Sequence, residues 1–475
     1  MPPLIQNVVG GSLADAADGR RSDLIDPSTG EISGSAPVSG PHDVDRAYRA
    51  AASAFTDWRD TPPAQRQEAL LRLADAVAAH TEELVAAESA DTGKPVGSVR
   101  DGEVPAAVDQ LRFFAGAARA LGGLSAGEFT PGHTSYVRRE PLGVIGQVTP
   151  WNFPLLEAVG KIAPAVAAGN TVVLKPADTT PRSTVVLARL ATGILPAGVV
   201  NVVCGDRKTG RAVVSHEAAA MVAITGSTRA GREVAAAAAP AVRRTHLELG
   251  GKAPVLVFDD ADLVDAVPRI VEAAFGNAGQ DCTAATRVLA AEGIADQLAE
   301  LLATHAAKVT VGPPDSGAYY GPLNNAAQLA RVAGFHQRLP AHAAVLTGGA
   351  RHGDQGYFWQ PTVISGVRQD DEISQEEVFG PVLTVQRFTG EADAVASANG
   401  VPYGLAASVW TADHGRALRL IRRLDFGTVW VNSHSVNLSE LPHGGFKQSG
   451  HGKNMSIYGL EDYTRVKHVT HRFAS

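Results

Sequence analysis

Cysteine is almost absent from this chain of 475 residues, which contains only Cys204 and Cys282. Two cysteines cannot build a disulfide framework, and so few are typical of a protein from a reducing compartment. The chain also lacks a basic segment followed by a long apolar one at its start, and it has no run of about 18 apolar residues. We therefore expect neither a secretory signal nor a membrane span, and the expected location is the cytoplasm.

A basic excess is missing as well, because the formal net charge is -7. Nucleic-acid binders usually carry the opposite balance, so nucleic acid is not an expected partner. Hydrophobic residues make up 45% of the chain and charged residues 19%, which are the proportions of a globular protein. A chain of this length normally divides into two or three packed units. No pattern typical of a metal site stands out, and we expect no metal.

The distribution of apolar residues predicts an α/β fold. Helical patterns occupy residues 44–58, 65–89 and 104–121, and extended character is predicted for 122–139 and for the tail at 458–473. Between them, short apolar runs alternate with helical stretches, and these runs lie at 144–148, 171–174, 199–203, 221–225, 254–258 and 429–431. Such alternation is typical of a parallel sheet covered by helices. The architecture is one that often binds nucleotides, although a fold alone does not define a function.

Cys282 is the first candidate for chemistry. It ends the segment Phe275-Gly-Asn-Ala-Gly-Gln-Asp-Cys282, whose glycines and asparagine favour an irregular backbone that presents a side chain. A thiolate is the best nucleophile among side chains at neutral pH. A lone cysteine is more often a small core residue, and Cys204 at a strand end is assigned to the core.

Glu248 and Asn152 could complete a reaction on a thiol. Glu248 lies between two leucines and before two glycines, and apolar neighbours are expected to raise its pKa toward that of a general base. Asn152 lies in Pro150-Trp-Asn-Phe-Pro154 and carries an amide that could donate to an oxyanion. A solvent-facing strand glutamate and a turn asparagine are the alternatives.

A phosphate site is predicted at Gly226-Ser-Thr-Arg-Ala-Gly231, which follows an apolar strand and opens a helix. Free N–H groups and the helix dipole favour an anion there, although the segment is not a G-x-G-x-x-G fingerprint. Lys175 and Asp178 end another strand and could reach ribose hydroxyls. An ordinary charged strand end is the alternative for that pair.

Seven segments together resemble the aldehyde dehydrogenase superfamily over essentially the whole chain, and they occur in the order of that family. They are Pro150-Trp-Asn-Phe-Pro, Lys175-Pro, Gly226-Ser-Thr, Leu247-Glu-Leu-Gly-Gly-Lys, Asn277-Ala-Gly-Gln-Asp-Cys, Glu376-Glu-Val-Phe-Gly-Pro381 and Pro442-His-Gly-Gly-Phe-Lys-Gln-Ser-Gly450.

The resemblance implies NAD-dependent oxidation of an aldehyde to an acid, through a thiohemiacetal and a thioester on Cys282. Glu248 would activate water, and Asn152 with the Cys282 amide would form the oxyanion hole. Asp178 stands where a carboxylate favours NAD over NADP. The residues implied for the cofactor are Thr149, Pro150, Trp151, Lys175, Ala177, Asp178, Gly205, Gly210, Thr225, Gly226, Ser227, Ala230, Leu249, Glu377 and Phe379.

The implied architecture has three parts. A Rossmann-like NAD-binding domain would take residues 1–121 and 139–249, and an α/β catalytic domain residues 250–450. A small β oligomerisation arm would combine residues 122–138 with 451–475. The family expectation is a homotetramer built from dimers.

A closer resemblance is to bacterial gamma-aminobutyraldehyde dehydrogenases, which act in putrescine catabolism. It rests on Arg112-Phe-Phe-Ala-Gly-Ala-Ala-Arg, Gly132-His-Thr-Ser and Ser456-Ile-Tyr-Gly-Leu-Glu-Asp-Tyr, together with the cysteine motif extended by Thr-Ala. The expected substrate is then 4-aminobutyraldehyde, whose amine is cationic.

Glu157 is the candidate partner of that amine, and Gly160 predicts a widened tunnel beside it. The alternative is a Glu157 side chain that points to solvent. The other residues considered for the substrate are Asp109, Glu103, Phe153 and Trp430. Asn454 departs from the acidic residue common in the family.

Other functions stay open at this point. Betaine aldehyde is also cationic, but a quaternary ammonium usually needs an aromatic cage. A dicarboxylic semialdehyde would need an arginine, and no arginine stands near these motifs. A coenzyme A-acylating enzyme would typically lack Glu248, and a non-catalytic binding protein on the same fold would have no need of both Cys282 and Glu248.

Overall fold

The computed structural model describes residues 4–473, and these form mixed α/β layers. The strands are β1 Asn7–Val9, β2 Ser12–Ala14, β3 Arg21–Ile25, β4 Ile32–Pro37, β5 Gly127–Thr130, β6 His133–Pro141, β7 Val144–Val148, β8 Thr171–Lys175, β9 Val200–Val202, β10 Ala219–Gly226, β11 Arg244–Leu249, β12 Pro254–Val257, β13 Arg287–Ala291, β14 Ala344–Thr347, β15 Thr362–Ser365, β16 Val382–Phe388, β17 Tyr403–Gly404, β18 Ala406–Trp410, β19 Thr428–Val431, β20 Phe446–Lys447, β21 Gly450–His451 and β22 Thr464–Arg472.

The helices alternate with these strands through most of the chain. They are α1 Pro41–Asp60, α2 Pro63–Ala79, α3 Thr81–Thr92, α4 Val96–Ser98, α5 Val104–Ala117, α6 Pro154–Ala167, α7 Arg182–Ala191, α8 Arg207–Ser215, α9 Thr228–Ala238, α10 Leu263–Phe275, α11 Ala295–Ala306, α12 Ala326–Gln337, α13 Glu372–Gln375, α14 Gly390–Asn399, α15 His414–Ile421 and α16 Ser456–Asp462. A π-helical turn at Val99–Glu103 leads into α5.

The first large sheet has eight strands in the order β2-β1-β9-β8-β7-β10-β11-β21. The five strands from β9 to β11 are parallel, and their apolar runs are buried because helices cover both faces. Sequence order runs outward from β7 in both directions, so the order reverses between β7 and β10. The carboxyl ends of strands at such a reversal bound a crevice, which is the usual ligand site of an open α/β sheet.

The second large sheet has seven strands in the order β14-β15-β16-β13-β12-β18-β19, all parallel except β14. Its core joins strand residues such as Val255 and Val288 to Ile270 of α10 and Leu298 of α11. The predicted α/β class with parallel strands is thus confirmed in both sheets.

A smaller sheet pairs β22 with β6 and β5 in antiparallel fashion. The extended character predicted for 122–139 is confirmed from residue 127 onward, where β5 and β6 lie. The extended structure predicted for the tail at 458–473 is only partly confirmed, because residues 456–462 form α16. Leu460 of this helix packs in the core of the first sheet. The division into domains and the oligomeric role of this sheet remain predictions.

One predicted helix is in fact two. The pattern at 65–89 indicated a single helix, but α2 ends at Ala79 and α3 begins at Thr81. His80 between them leaves helical geometry, and its Nδ1 lies 2.8 Å from the carbonyl oxygen of Ala76. A side chain bonded to the last turn in this way ends a helix that apolar periodicity alone would continue. No helix within residues 4–473 is long and apolar enough to cross a membrane.

Candidate active site

Cys282 lies on an irregular loop that follows α10. A 3-10 turn at Gly276–Gly279 precedes it, and Asn277, Ala278 and Gly279 have left-handed φ angles of 50°, 56° and 66°. Such angles are costly for residues other than glycine. The Asn277 side chain stabilises the loop by donating hydrogen bonds to the carbonyls of Asn152 at 3.0 Å and Gln280 at 3.2 Å. The irregular backbone predicted around Cys282 is therefore present.

Two glycines after β11 bring this loop to Glu248. A Cβ on Gly251 would lie 2.2 Å from the carbonyl oxygen of Cys282, and a Cβ on Gly250 would lie 2.4 Å from the Glu377 carboxylate. Side chains at either position would push these neighbours away. The two glycines therefore set the distance between Glu248, at the end of its strand, and the thiol.

The thiol, a carboxylate and an imidazole meet at this point. Oε1 of Glu248 lies 3.7 Å from the Sγ of Cys282 and 3.3 Å from Nε2 of His443. Glu248 is only 2% exposed, and Cys282 and His443 are half-buried. The arrangement places a nucleophile beside a possible base, and it adds a histidine that the sequence analysis did not consider.

His443 overturns the expectation for the pKa of Glu248. Burial by itself raises that pKa, as expected, but the hydrogen bond and charge of His443 lower it below its ordinary value. Burial lowers the pKa of His443, and the partnership with Glu248 raises it above its ordinary value. Burial and then the Glu248 charge raise the pKa of the Cys282 thiol. The contact between Glu248 and His443 therefore favours the charged form of each partner, whereas the surroundings of Cys282 favour its protonated thiol.

Asn152 lies against the cysteine loop. Its Nδ2 donates to the carbonyl of Gln280 at 3.1 Å, and its Oδ1 is buried without a partner among the described residues. The structure thus brings the three predicted catalytic residues, Cys282, Glu248 and Asn152, into one site. An amide at this place can donate to an oxyanion formed at Cys282.

The predicted cofactor residues surround the crevice of the first sheet. Thr149, Pro150 and Trp151 follow β7, and Lys175, Ala177 and Asp178 end or follow β8. Lys175 is buried and burial lowers its pKa, whereas Asp178 is exposed. All of these groups leave the sheet at its carboxyl edge.

The third strand at the crevice is β10, which carries Thr225 and Gly226 at its end. Ser227 caps α9 by accepting a hydrogen bond from the Ala230 amide at 3.3 Å. Gly205 has a φ of 153°, and a Cβ there would lie 2.1 Å from Oγ1 of Thr209. The remaining two residues of this group are Gly210, on α8, and Leu249, which is buried.

Glu377 and Phe379 close the site from the second sheet. The Glu377 carboxylate accepts a hydrogen bond from the Gly251 amide at 2.9 Å, and burial raises its pKa to about 7. Phe379 has a left-handed φ of 58°, and its ring meets Trp151 edge-on at 5.2 Å between centroids. Glu377 therefore contacts the segment that follows β11, and Phe379 contacts the segment that follows β7.

Glu157 points inward and not to solvent. It is half-buried on α6, within charge–charge range of Glu248 and Lys161. Burial and then the charge of Glu248 raise its pKa to about 7. The solvent-facing alternative for Glu157 is wrong.

The other predicted substrate residues already have partners. The Phe153 ring faces Lys94, whose Nζ lies 4.2 Å from the ring centroid. Trp430 donates its indole N–H to the carbonyl of Val436 at 2.9 Å. Exposed Asp109 accepts a hydrogen bond from the hydroxyl of Ser439 at 2.6 Å, and buried Glu103 is paired with Lys94 at 2.8 Å. Glu103 is therefore ruled out as a partner of the substrate.

Four residues of the site escaped the sequence analysis. Lys161 is fully buried with a partnerless Nζ, and Gln110 presents a partnerless Oε1 that would lie 3.3 Å from a Cβ on Gly160. Gln110 thus occupies space that Gly160 was expected to leave open. Half-buried Asp281 precedes the thiol, and His443 is separated from Glu248 by 195 residues. Two of the four had a signal, since His443 belongs to the Pro442-His-Gly-Gly segment of the resemblance and Asp281 to the segment that ends at Cys282.

Known proteins resemble this chain in sequence and in fold. A model of the aldehyde dehydrogenase family matches residues 14–469. An aldehyde dehydrogenase of Emericella nidulans is 41% identical over 470 residues, which cover 98% of this chain and 94% of that protein. A solved NAD-dependent aldehyde dehydrogenase from Sinorhizobium meliloti has a TM-score of 0.97 at 38% identity, over 100% of this chain and 96% of that one. A point variant of betaine aldehyde dehydrogenase from Staphylococcus aureus, solved in complex with NAD+, has a TM-score of 0.95 at 33% identity, over 98% of this chain and 97% of that one.

Proposed function

The chain belongs to the aldehyde dehydrogenase family and has its fold, and on that premise we propose that it uses NAD to oxidise an aldehyde bearing a cationic amine. The proposed substrate is 4-aminobutyraldehyde and the product 4-aminobutyrate. The observation that carries this specificity is the inward Glu157 carboxylate, whose pKa is raised to about 7 by burial and then by the charge of Glu248, despite the nearby Lys161 and His443. A substrate ammonium group beside this carboxylate would favour its charged form.

The crevice fits a dinucleotide. Oγ1 of Thr149 and Oγ1 of Thr225 are buried without partners among the described residues, on either side of the strand reversal. Unsatisfied buried hydroxyls call for a bound group or for water. Ser227 with the start of α9 would hold the pyrophosphate, and Lys175 and Glu377 would hold the two riboses.

Two further points support NAD as the cofactor. Asp178 is exposed at the carboxyl edge, where a carboxylate accepts from a ribose 2′-hydroxyl and repels a 2′-phosphate. The relatives from Sinorhizobium meliloti and Staphylococcus aureus are an NAD-dependent enzyme and an NAD+ complex. When bound, NAD supplies the acceptor for the hydride that leaves the substrate carbon.

The residues at the thiol then perform the two halves of the reaction. The Cys282 thiol releases its proton to solvent, and the resulting thiolate adds through Sγ to the carbonyl carbon while the Asn152 amide stabilises the oxyanion. Loss of hydride leaves a thioester on Cys282. Glu248 accepts a proton from the water that attacks the thioester, the C–S bond breaks, and the acid leaves. Because Glu248 can serve as a base for water, we favour hydrolysis of the thioester over acyl transfer to coenzyme A.

The proposed amine site lies between α5 and α6. Glu157 and Gly160 share one face of α6, and the partnerless Oε1 of Gln110 lies against Gly160. An ammonium group needs acceptors, and a carboxylate with a free amide oxygen provides them. The face of the Phe153 ring is already covered by Lys94, which removes one aromatic ring from a possible cage for betaine aldehyde.

A panel of kcat/KM values tests this proposal. It should include 4-aminobutyraldehyde, 3-aminopropionaldehyde, betaine aldehyde and butanal, each with NAD and with NADP. Because a carboxylate near an ammonium group gives a few kcal/mol at most, we expect 4-aminobutyraldehyde to exceed butanal by roughly 10- to 100-fold. Preference for butanal, or for betaine aldehyde, would overturn the assignment.

The Glu157→Gln variant gives the matched control, since it keeps the shape and removes the charge. KM for 4-aminobutyraldehyde should rise about tenfold, and KM for butanal should change little. Equal rises for both aldehydes would mean that Glu157 supports the site without contacting the amine.

A further inference from the structure

His443 is the only side chain among residues 4–473 that bonds directly to the carboxylate of Glu248 apart from the thiol itself. We propose that His443 is a positioning residue for the hydrolytic half of the reaction, because its imidazole holds Oε1 of Glu248 and leaves Oε2 to accept the proton of the attacking water. The inference rests on the proposed function only in taking Glu248 as the base for hydrolysis.

The His443 backbone is fixed from both directions. Its N–H donates to the Asn454 carbonyl at 2.9 Å, and the Asn454 N–H donates to the His443 carbonyl at 2.7 Å. Oδ1 of Asn454 lies 3.0 Å from Nε2 of His246, and His246 precedes Glu248 by two residues on β11. The contacts therefore form a closed ring from Glu248 through His443, Asn454 and His246 back to the strand of Glu248. These contacts fix the His443 backbone relative to the strand of Glu248.

Two oxygens of Glu248 have different surroundings. Oε1 contacts both the Sγ of Cys282 and Nε2 of His443, whereas Oε2 is buried with no partner among the described residues. Buried carboxylate oxygens are normally satisfied, and water is the usual partner when protein groups are absent. The free oxygen is thus the one available to water. As the water oxygen bonds to the thioester carbon, Oε2 takes its proton and the C–S electron pair returns to Sγ.

The contact with His443 also distinguishes Glu248 from the other carboxyl groups of the site. Three acidic side chains face its imidazole: Glu248 from β11, Glu157 from α6 and Asp281 from the cysteine loop. Neighbouring buried carboxylates cannot all ionise freely, and their pKa values separate according to their partners. His443 bonds to Glu248, whose pKa is lowered, while the pKa of Glu157 is raised to about 7 by burial and by Glu248.

Without His443, burial should therefore become the dominant influence on the pKa of Glu248. Burial raises the pKa of a carboxyl group, so more of Glu248 would be protonated at neutral pH. A protonated Glu248 cannot accept a proton from water. Lys161 has no bond to Glu248, although its charge is near, and it would not replace the lost contact.

The experiment separates the two halves of the reaction by rapid mixing of enzyme, NAD and propanal. In His443→Phe, we expect a burst of about one NADH per subunit at a rate near that of the wild type, followed by steady turnover reduced by about 10- to 100-fold. His443→Gln keeps a neutral donor and should recover most of the steady rate. His451→Phe is the matched control, because His451 is an exposed neighbour of β11 that contacts Thr245.

The pH profile gives a readout that a purely structural role would not move. The acid limb of kcat should shift to higher pH by about one unit in His443→Phe and by less in His443→Gln. A parallel loss of burst and steady rate, or an unshifted acid limb with unchanged kcat, would overturn the proposal. Failure of the substrate assignment leaves this test intact, because it uses propanal, and failure of the cofactor assignment appears as absence of NADH in the wild type.

Discussion

On the cofactor side of the site, Thr149 and Lys175 follow or end neighbouring parallel strands, and Ser227 follows a third strand and caps the helix after it. On the thiol side, Glu248 also lies near the end of a strand, but its carboxylate contacts Cys282 and His443, which lie on loops from distant parts of the chain. The first arrangement is local and the second is collective. A change on the cofactor side should therefore alter one function, and a change on the thiol side should alter several together.

The largest expected effect is a loss of catalysis on the thiol side with almost no change in cofactor binding. Cys282→Ser replaces the proposed nucleophile by a weaker one, so kcat for aldehyde oxidation should fall by at least about 1000-fold. Binding of NADH, followed by its fluorescence, should stay within about twofold. Substantial residual oxidation by the serine variant would remove Cys282 from its proposed role.

The collective character of the thiol side is tested by Gly251→Ala. The new Cβ would lie 2.2 Å from the Cys282 carbonyl oxygen, and a displacement of about 1 Å at a reacting group can cost 100-fold. We expect a loss of that order in kcat and a changed rate of Cys282 alkylation by iodoacetamide. Gly276→Ala is the control in the same loop, since no atom lies within 4 Å of its Cβ position. Equal activities of the two variants would show that the contact does not position the thiol.

The local character of the cofactor side is tested by Asp178→Ser. Without the carboxylate, the ratio of kcat/KM for NADP to that for NAD should rise about tenfold, because repulsion of the 2′-phosphate is lost. Alkylation of Cys282 should be unaffected. An unchanged cofactor ratio would mean that selectivity resides elsewhere.

A pH series tests the role of the Glu157 carboxylate on the thiol side. Burial, followed by Glu248, raises the pKa of Glu157 to about 7, so the side chain is neutral below that pH and charged above it. The preference for 4-aminobutyraldehyde over butanal should therefore increase about threefold to tenfold between about pH 6 and about pH 8. In Glu157→Gln the preference should be flat. A flat profile in the wild type would exclude Glu157 as the amine partner.

The smallest effect is expected at Asp109. Its carboxylate is exposed and bonded to Ser439, so screening by water leaves it little influence on a bound amine. Asp109→Asn should change the preference for aminoaldehydes by less than about twofold in the same kcat/KM panel. An effect as large as that of Glu157→Gln would transfer the amine site to α5.

The same contrast explains how much could be predicted from the sequence. The strand at 144–148 and the strand at 171–175 were predicted to within a residue, because buried parallel strands are short apolar runs bounded by turn residues. Lys175 and Asp178 were predicted from the end of the second of these strands, whereas Thr149 and Trp151 were implied only by the resemblance. The motifs also located Cys282, Glu248 and Asn152 in one site, through a resemblance and not through periodicity.

The rest depends on contacts that no local pattern records. The pKa of Glu248 was predicted to be raised because its sequence neighbours are leucines, but the histidine that lowers it lies 195 residues away. The helix α16 was missed because its seven residues are too few to show a helical period. The Gln110 oxygen beside Gly160 was missed because it comes from another helix.

Gly250 and Gly251 carry a consequence for the history of this enzyme. One glycine lies against Glu377, proposed to hold a ribose, and the next lies against the Cys282 backbone. Two consecutive residues thus affect both the proposed fit of NAD and the placement of the proposed nucleophile. A lineage that drifted toward a different coenzyme through this segment would disturb its thiol at the same time. A change of coenzyme preference is therefore expected at the outer crevice, where Asp178 is exposed and a substitution should leave the reacting groups in place.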